Sequence, residues 1–187
     1  KEAGRHAAVV VAHNGKCAER LTSRVPARST HMLLRAKFGA RLGAGGSGNG
    51  RMTLNSIYSL LFEVPKGTIS SALGACTLVS PQCEADLRLL ANNGAKYAAS
   101  DEDAQTEVWT ALSSGAFGAK HKAPQEHIEG TDVETRVTAL MLGAADRSLG
   151  LAEGTLASQV RASKLQLWGA AQPLNMWTGG PYTWDGD

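Results

Sequence analysis

This 187-residue chain has few aromatic residues (5%), three cysteines, and no apolar run longer than the short stretches Ala7 to Ala12 and Thr138 to Ala145. A membrane-spanning helix needs about 20 consecutive apolar residues, so helical membrane insertion is excluded. Cys17 stands alone and Cys76 and Cys83 are seven positions apart; without a CxxC pair there is neither a zinc ribbon nor a thioredoxin-type motif. Buried or idle thiols in a reducing compartment are the simpler expectation, with a Cys76 to Cys83 disulfide as the alternative. There is no G-x-S-x-G elbow, and Cys17 has no recognisable catalytic partner, so nucleophilic catalysis has no support in the sequence. An RNP-type aromatic motif is also missing, which directs any RNA contact to phosphate rather than to bases.

What is present is a foldable chain. It is 43% hydrophobic with a net charge of +2, which excludes wholesale disorder. A chain of this length buries roughly 70% of its unfolded surface and needs no metal or disulfide to do so. Because it begins at Lys1, a processed form or a fragment is expected.

The charge is unevenly spread. Residues 1 to 51 hold ten Lys/Arg against two acids, residues 52 to 134 hold five against eleven, and the remainder holds four of each. An Arg-rich, acid-poor start containing Ala, Ser and Gly resembles the composition of a mitochondrial import sequence, and it also suits contact with phosphate or an acidic protein. Arg24, Arg28, Arg35, Lys37 and Arg41 are its candidate contacts. Aromatics are uneven too, since Trp168, Trp177, Tyr182 and Trp184 fall in the last twenty residues. An irregular tail cannot bury them by its own secondary structure, and Trp and Tyr suit partner anchoring because each buries a large area at little rotamer cost.

Along the chain, Ala7 to Ala12 followed by Asn14-Gly15 predicts a strand and turn, the one clear strand signal. Ser29 or Thr30 is expected to cap a helix through Leu42, with Leu34, Phe38 and Leu42 on one side and a basic face on the other. The glycine-rich stretch 43 to 50 then interrupts the chain. Helices are predicted from Thr53 or Asn55 through Phe62, from Pro81 to Gly94, from Ser100 to Gly115, and from Thr155 to Trp168. Residues 115 to 130 read as a loop and a possible boundary. Thr131 and Glu134 form a capping box that opens a further helix to Gly150.

Three constellations invite chemistry. Gly43-x-Gly45-x-x-Gly48 matches a dinucleotide fingerprint as a string, but a basic helical pattern precedes it where a strand is required. Gly45 to Gly50 has the outer spacing of a phosphate loop, with Arg51-Met52 where Lys-Ser/Thr should stand. His121, Glu126 and His127 are the best metal-like cluster, yet six residues of helix would separate the imidazoles by about 1.7 turns, off a shared face. Acids 101 to 103 suit a helix N-terminus. The sequence therefore assigns no catalytic, metal or cofactor-binding residue.

Residues 25 to 90 carry one family resemblance. Pro26-Ala27 leads a helix; Ser56-Ile57-Tyr58-Ser59-Leu60-Leu61 is followed by Lys66-Gly67-Thr68-Ile69 and then by the segment from Pro81. This order resembles the histidine-containing phosphocarrier family, HPr, with its S-I-x-x-L-L helix and K-G-T turn. That family's phosphoryl-accepting His would fall near Ser23 and its Arg near Val25, and its second and third strands are replaced here by the glycine-rich stretch. The resemblance implies a degenerate scaffold reused for binding, because phosphate relay requires the nucleophilic imidazole.

The expected architecture is mainly α, about six helices with at most a small β element. Its parts are a basic segment 1–51, a helical domain 52–168 and an aromatic docking tail 169–187. The function expected of it is that of a non-catalytic, structural subunit of a large organellar assembly, mitochondrial or otherwise cytoplasmic, its tail packing into a neighbouring subunit and its basic arm contacting RNA or acidic protein. The alternatives are a degenerate phosphocarrier-like or nucleotide- or phosphate-binding protein using residues 43 to 50, and an RNA-binding protein using the basic arm.

Overall fold

A computed structural model describes residues 7–12, 15–38, 52–69, 74–96, 105–124 and 128–175. The chain divides into two compact units, Lys1–Leu54 with Gln172–Asp187, and Asn55–Ala171.

The second unit is built on a five-stranded antiparallel sheet, so the fold is α+β and the expectation of a mainly helical protein is wrong. Its strands are β1 (Ile57–Pro65), β2 (Cys76–Leu78), β3 (Leu87–Asn92), β4 (Thr106–Ser113) and β5 (Ala162–Trp168), arranged β2-β3-β4-β1-β5. β1 is central. Ser59 pairs with Leu112 of β4 on one side and with Gln166 of β5 on the other.

The helix predicted over residues 53 to 62 is thus largely strand β1. Leu54, Ile57, Tyr58, Leu61 and Phe62 satisfy a helical period, but Tyr58, Leu60, Phe62 and Val64 satisfy a period of two, and it is these that are buried. The helix predicted from Pro81 is a turn followed by β3, and the later part of the one predicted from Ser100 is β4. The helix predicted over residues 155 to 168 stops at Gln159, and β5 takes over from Ala162. Ala7 to Ala12, the expected strand, forms no ladder among the described residues and lies exposed. In each case a short apolar run fitted both periods, and long-range pairing decided between them.

Among the described residues, four helices accompany the sheet: α3 (Asn93–Lys96), α4 (Gly115–Lys120), α5 (Asp132–Leu149) and α6 (Thr155–Gln159). α4 lies inside the region expected to be a loop. Its start is capped by Ser114, whose Oγ accepts the Phe117 amide at 3.1 Å. Gly118 is required here: a Cβ would collide with the Ser56 carbonyl oxygen at the entrance to β1.

α5 begins where the capping box predicts. Thr131 Oγ1 accepts the Glu134 amide at 3.4 Å, while the Glu134 carboxylate reaches past Thr131 to accept the Gly130 amide at 2.7 Å. The helix ends at Gly150, which takes the left-handed conformation (φ 68°) that a side chain disfavours. Val137, Met141, Leu142, Ala144 and Ala145 are its buried face, and they join Tyr58, Leu60, Phe62, Val64, Trp109, Leu90, Leu165 and Leu167 in one core. The small Ala144 and Ala145 side chains allow close approach.

Two polar contacts lock the helices in place. The buried Asp146 carboxylate accepts the Gly154 amide at 2.9 Å and the Leu156 amide at 3.0 Å, holding the start of α6. Tyr58 donates its hydroxyl to the His121 carbonyl at 2.6 Å, with the Phe117 ring edge-on to Tyr58. Burial pushes the Tyr58 hydroxyl pKa up, only partly opposed by the Arg136 charge. It pushes the His121 imidazole down, a direction reinforced by Lys120 and Arg136.

The first unit contains α1 (Gly15–Thr22) and α2 (Arg28–Phe38), joined by the turn of residues 23 to 27. Ala18 and Thr22, one turn apart, are buried, and Thr22 Oγ1 lies 3.2 Å from His31 Nδ1 of α2. In the same unit Leu54 bridges Pro173, and Thr53 donates its amide to Asn175 Oδ1 at 2.8 Å. No described helix is long and apolar enough to cross a membrane.

Candidate docking surface

Strand alternation gives the sheet two unlike faces. One carries Tyr58, Leu60, Phe62, Trp109, Leu165 and Leu167 into the core. The other is set by the register. Read across the strands, one row is Leu78, Leu89, Leu112, Ser59 and Gln166. The next is Cys76, Ala91, Thr110, Leu61 and Lys164. Val108, Glu63 and Ala162 follow on one side, and Ile57 stands opposite Trp168 on the other.

This face carries Leu78, Leu89, Leu112, Leu61 and Val108 and is open to solvent in part, with Leu89 and Leu112 half-buried and Ile57, Ser59 and Ala91 buried. Leu78 is 81% exposed, Trp168 53%, Leu61 43% and Val108 38%. A half-buried antiparallel sheet ordinarily alternates apolar inside with polar outside, so leucine, valine and tryptophan on the second face depart from that pattern. Its charges sit to one side: Glu63, and Lys164 on the edge strand, which donates to Glu129 Oε2 at 2.6 Å. The Lys164 hydrogen bond, then its charge, holds the exposed Glu129 carboxyl below the usual range. The Gln166 amide donates to the Leu167 carbonyl at 2.9 Å. With a charged and a polar side chain on β5, that edge is a poor template for further strand pairing.

The residues singled out from sequence fall in different places. Trp168 belongs to the sheet face, at the end of β5, instead of to the end of a helix. Arg24 lies exposed in the turn between α1 and α2; Arg28 and Arg35 are exposed on α2, and Lys37 is half-buried there. The hairpin therefore gathers Arg24, Arg28, Arg35 and Lys37 in one unit. Arg41, the glycine-rich stretch 43 to 50, His127, Trp177, Tyr182 and Trp184 lie outside the described residues. Leu61, Leu89, Val108 and Leu112 escape the sequence analysis because their positions read as helical, and Leu78 because no element is predicted there. The alternation of Tyr58, Leu60, Phe62 and Val64 was the available signal, since it places Leu61 on the opposite face.

Other chemistry-bearing groups serve the fold. Glu84, buried, accepts from Arg147 Nε at 2.7 Å and from the Asp86 amide at 2.8 Å. Cys17, Cys76 and Cys83 are free and exposed. Among the described residues no three His, Cys, Asp or Glu side chains gather as metal ligands. A shallow groove of about 430 Å³ between α5, α6 and β5 is lined by Glu134, Thr135, Thr138, Ala139, Leu142, Ala157 and Ser163. The Glu134 carboxylate in it is already engaged by the Gly130 amide. No family model matches the chain, and neither does any curated protein.

Proposed function

We propose that the protein is a non-catalytic accessory subunit of a larger multiprotein assembly, and that the open face of its sheet docks a neighbouring folded subunit. The observation that carries this reading is the set of apolar side chains on that face, Leu61, Leu112, Leu89 and Val108, with Trp168 at its other end opposite Ile57. Depletion of charge at the centre, polar groups at the rim and an aromatic anchor are the anatomy of a protein–protein contact. The low charge of the face disfavours nucleic acid as its occupant, because phosphate binding needs clustered cations. The basic composition of residues 1 to 51 supports placing the assembly in a mitochondrion-like organelle.

The test is native co-purification from cells expressing a tagged chain. A partner present in constant ratio to the wild-type chain should be lost from Leu61→Ser and Trp168→Ser, while both variants keep the wild-type melting temperature to within a few degrees. Retention of the same partner by both variants would overturn the reading.

A further inference from the structure

The α1–α2 hairpin combines two kinds of exposed side chain. Residues 15 to 38 hold six Lys/Arg and a single acid, Glu19, and Arg20, Arg24, Arg28 and Arg35 are all exposed. Leu21, Val25 and Met32 are exposed among them, Met32 to 71%, and Val9 and Val10 are bare just ahead of α1. On α2, Arg28, Met32 and Arg35 stand at i, i+4 and i+7 and so share one face. Buried Ala18 and Thr22 mark the opposite side of α1 from Arg20.

We propose that this hairpin is a peripheral membrane contact that binds an anionic lipid surface. Cations alone would suit any polyanion, including RNA. Apolar side chains spaced between them gain nothing at a phosphate backbone, whereas at a bilayer they enter the boundary between headgroups and acyl chains while the guanidinium groups meet lipid phosphate. Arginine suits this position because its long stem lies along apolar surface with the charge held at the headgroups. The hairpin thus lies on a membrane without crossing it, and the proposal is independent of what covers the sheet.

The experiment is sedimentation of the full chain with vesicles of phosphatidylcholine alone, and of phosphatidylcholine mixed with phosphatidylglycerol, with a single-stranded RNA homopolymer as competitor. The chain should bind the mixed vesicles and not the neutral ones, and Arg28→Gln and Arg35→Gln should each weaken binding about fivefold. Met32→Ser and Leu21→Ser, which leave the charge unchanged, should also weaken vesicle binding several-fold while helix content by circular dichroism stays at the wild-type level. The proposal is overturned if mixed vesicles fail to retain the chain, if the two serine variants bind them as tightly as wild type, or if the RNA displaces the chain from them at equal phosphate concentration.

Discussion

Glu84 and Arg147 join the segment before β3 to the last turn of α5 through a 2.7 Å charge-assisted hydrogen bond, with the carboxylate buried and the guanidinium half in solvent. Burial alone would raise the Glu84 pKa; the Arg147 hydrogen bond, the Asp86 amide, the Arg147 charge and the Ala85 amide together outweigh it and hold the carboxyl below its ordinary range. A carboxyl whose folded pKa is depressed contributes stability that is present above its unfolded pKa and lost as pH falls through the folded one. The melting temperature should therefore lose this contribution as the pH falls below the ordinary glutamate range, and Glu84→Gln should flatten that part of the profile. Arg147→Ala should cost about 2 kcal/mol in urea unfolding at neutral pH.

Asp146 is the second polar lock. Asp146→Ala strands the Gly154 and Leu156 amides, the second of them in the core, and should destabilise the protein by about 2–3 kcal/mol. Asp146→Asn keeps an acceptor oxygen and should cost less. Equilibrium unfolding of the two variants checks the order.

Trp109 is buried with its indole N–H unpartnered among the described residues. Phenylalanine removes that donor along with some volume, so Trp109→Phe should cost less than the roughly 3–5 kcal/mol expected for Trp109→Ala. Equal losses in the two variants, measured by denaturant unfolding, would contradict this account of the site.

Gly118 tests the close approach of α4 to β1. Gly118→Ala forces a methyl against the Ser56 carbonyl oxygen and should destabilise by about 1–3 kcal/mol. An alanine in a free helix would stabilise instead, so the sign of the change in melting temperature reads the contact directly.

How much of this was legible in the sequence depended on whether a signal was local. The Thr131 capping box and the Gly150 terminus were, because they depend on residues within one turn of each other. α2 was legible for the same reason, and its predicted start lies within two residues of Arg28. The sheet was not. β1 and β5 are about 100 residues apart, and only their pairing decides that Tyr58 and Leu167 face the core together. The docking face is illegible for the same reason: Trp168 stands out as an anchor, but Leu61 and Val108 share a face with it only once the strands are in register.

The most direct test of the central claim is site-specific photocrosslinking in intact cells, with a photoreactive amino acid placed at Leu61, Val108 or Trp168 on the open face, or at Leu140 on the exposed side of α5. A docked neighbour predicts one discrete adduct, containing the same second protein, from each of the three sheet positions and none from Leu140. Adducts absent from the sheet positions, or equally abundant at Leu140, would contradict it.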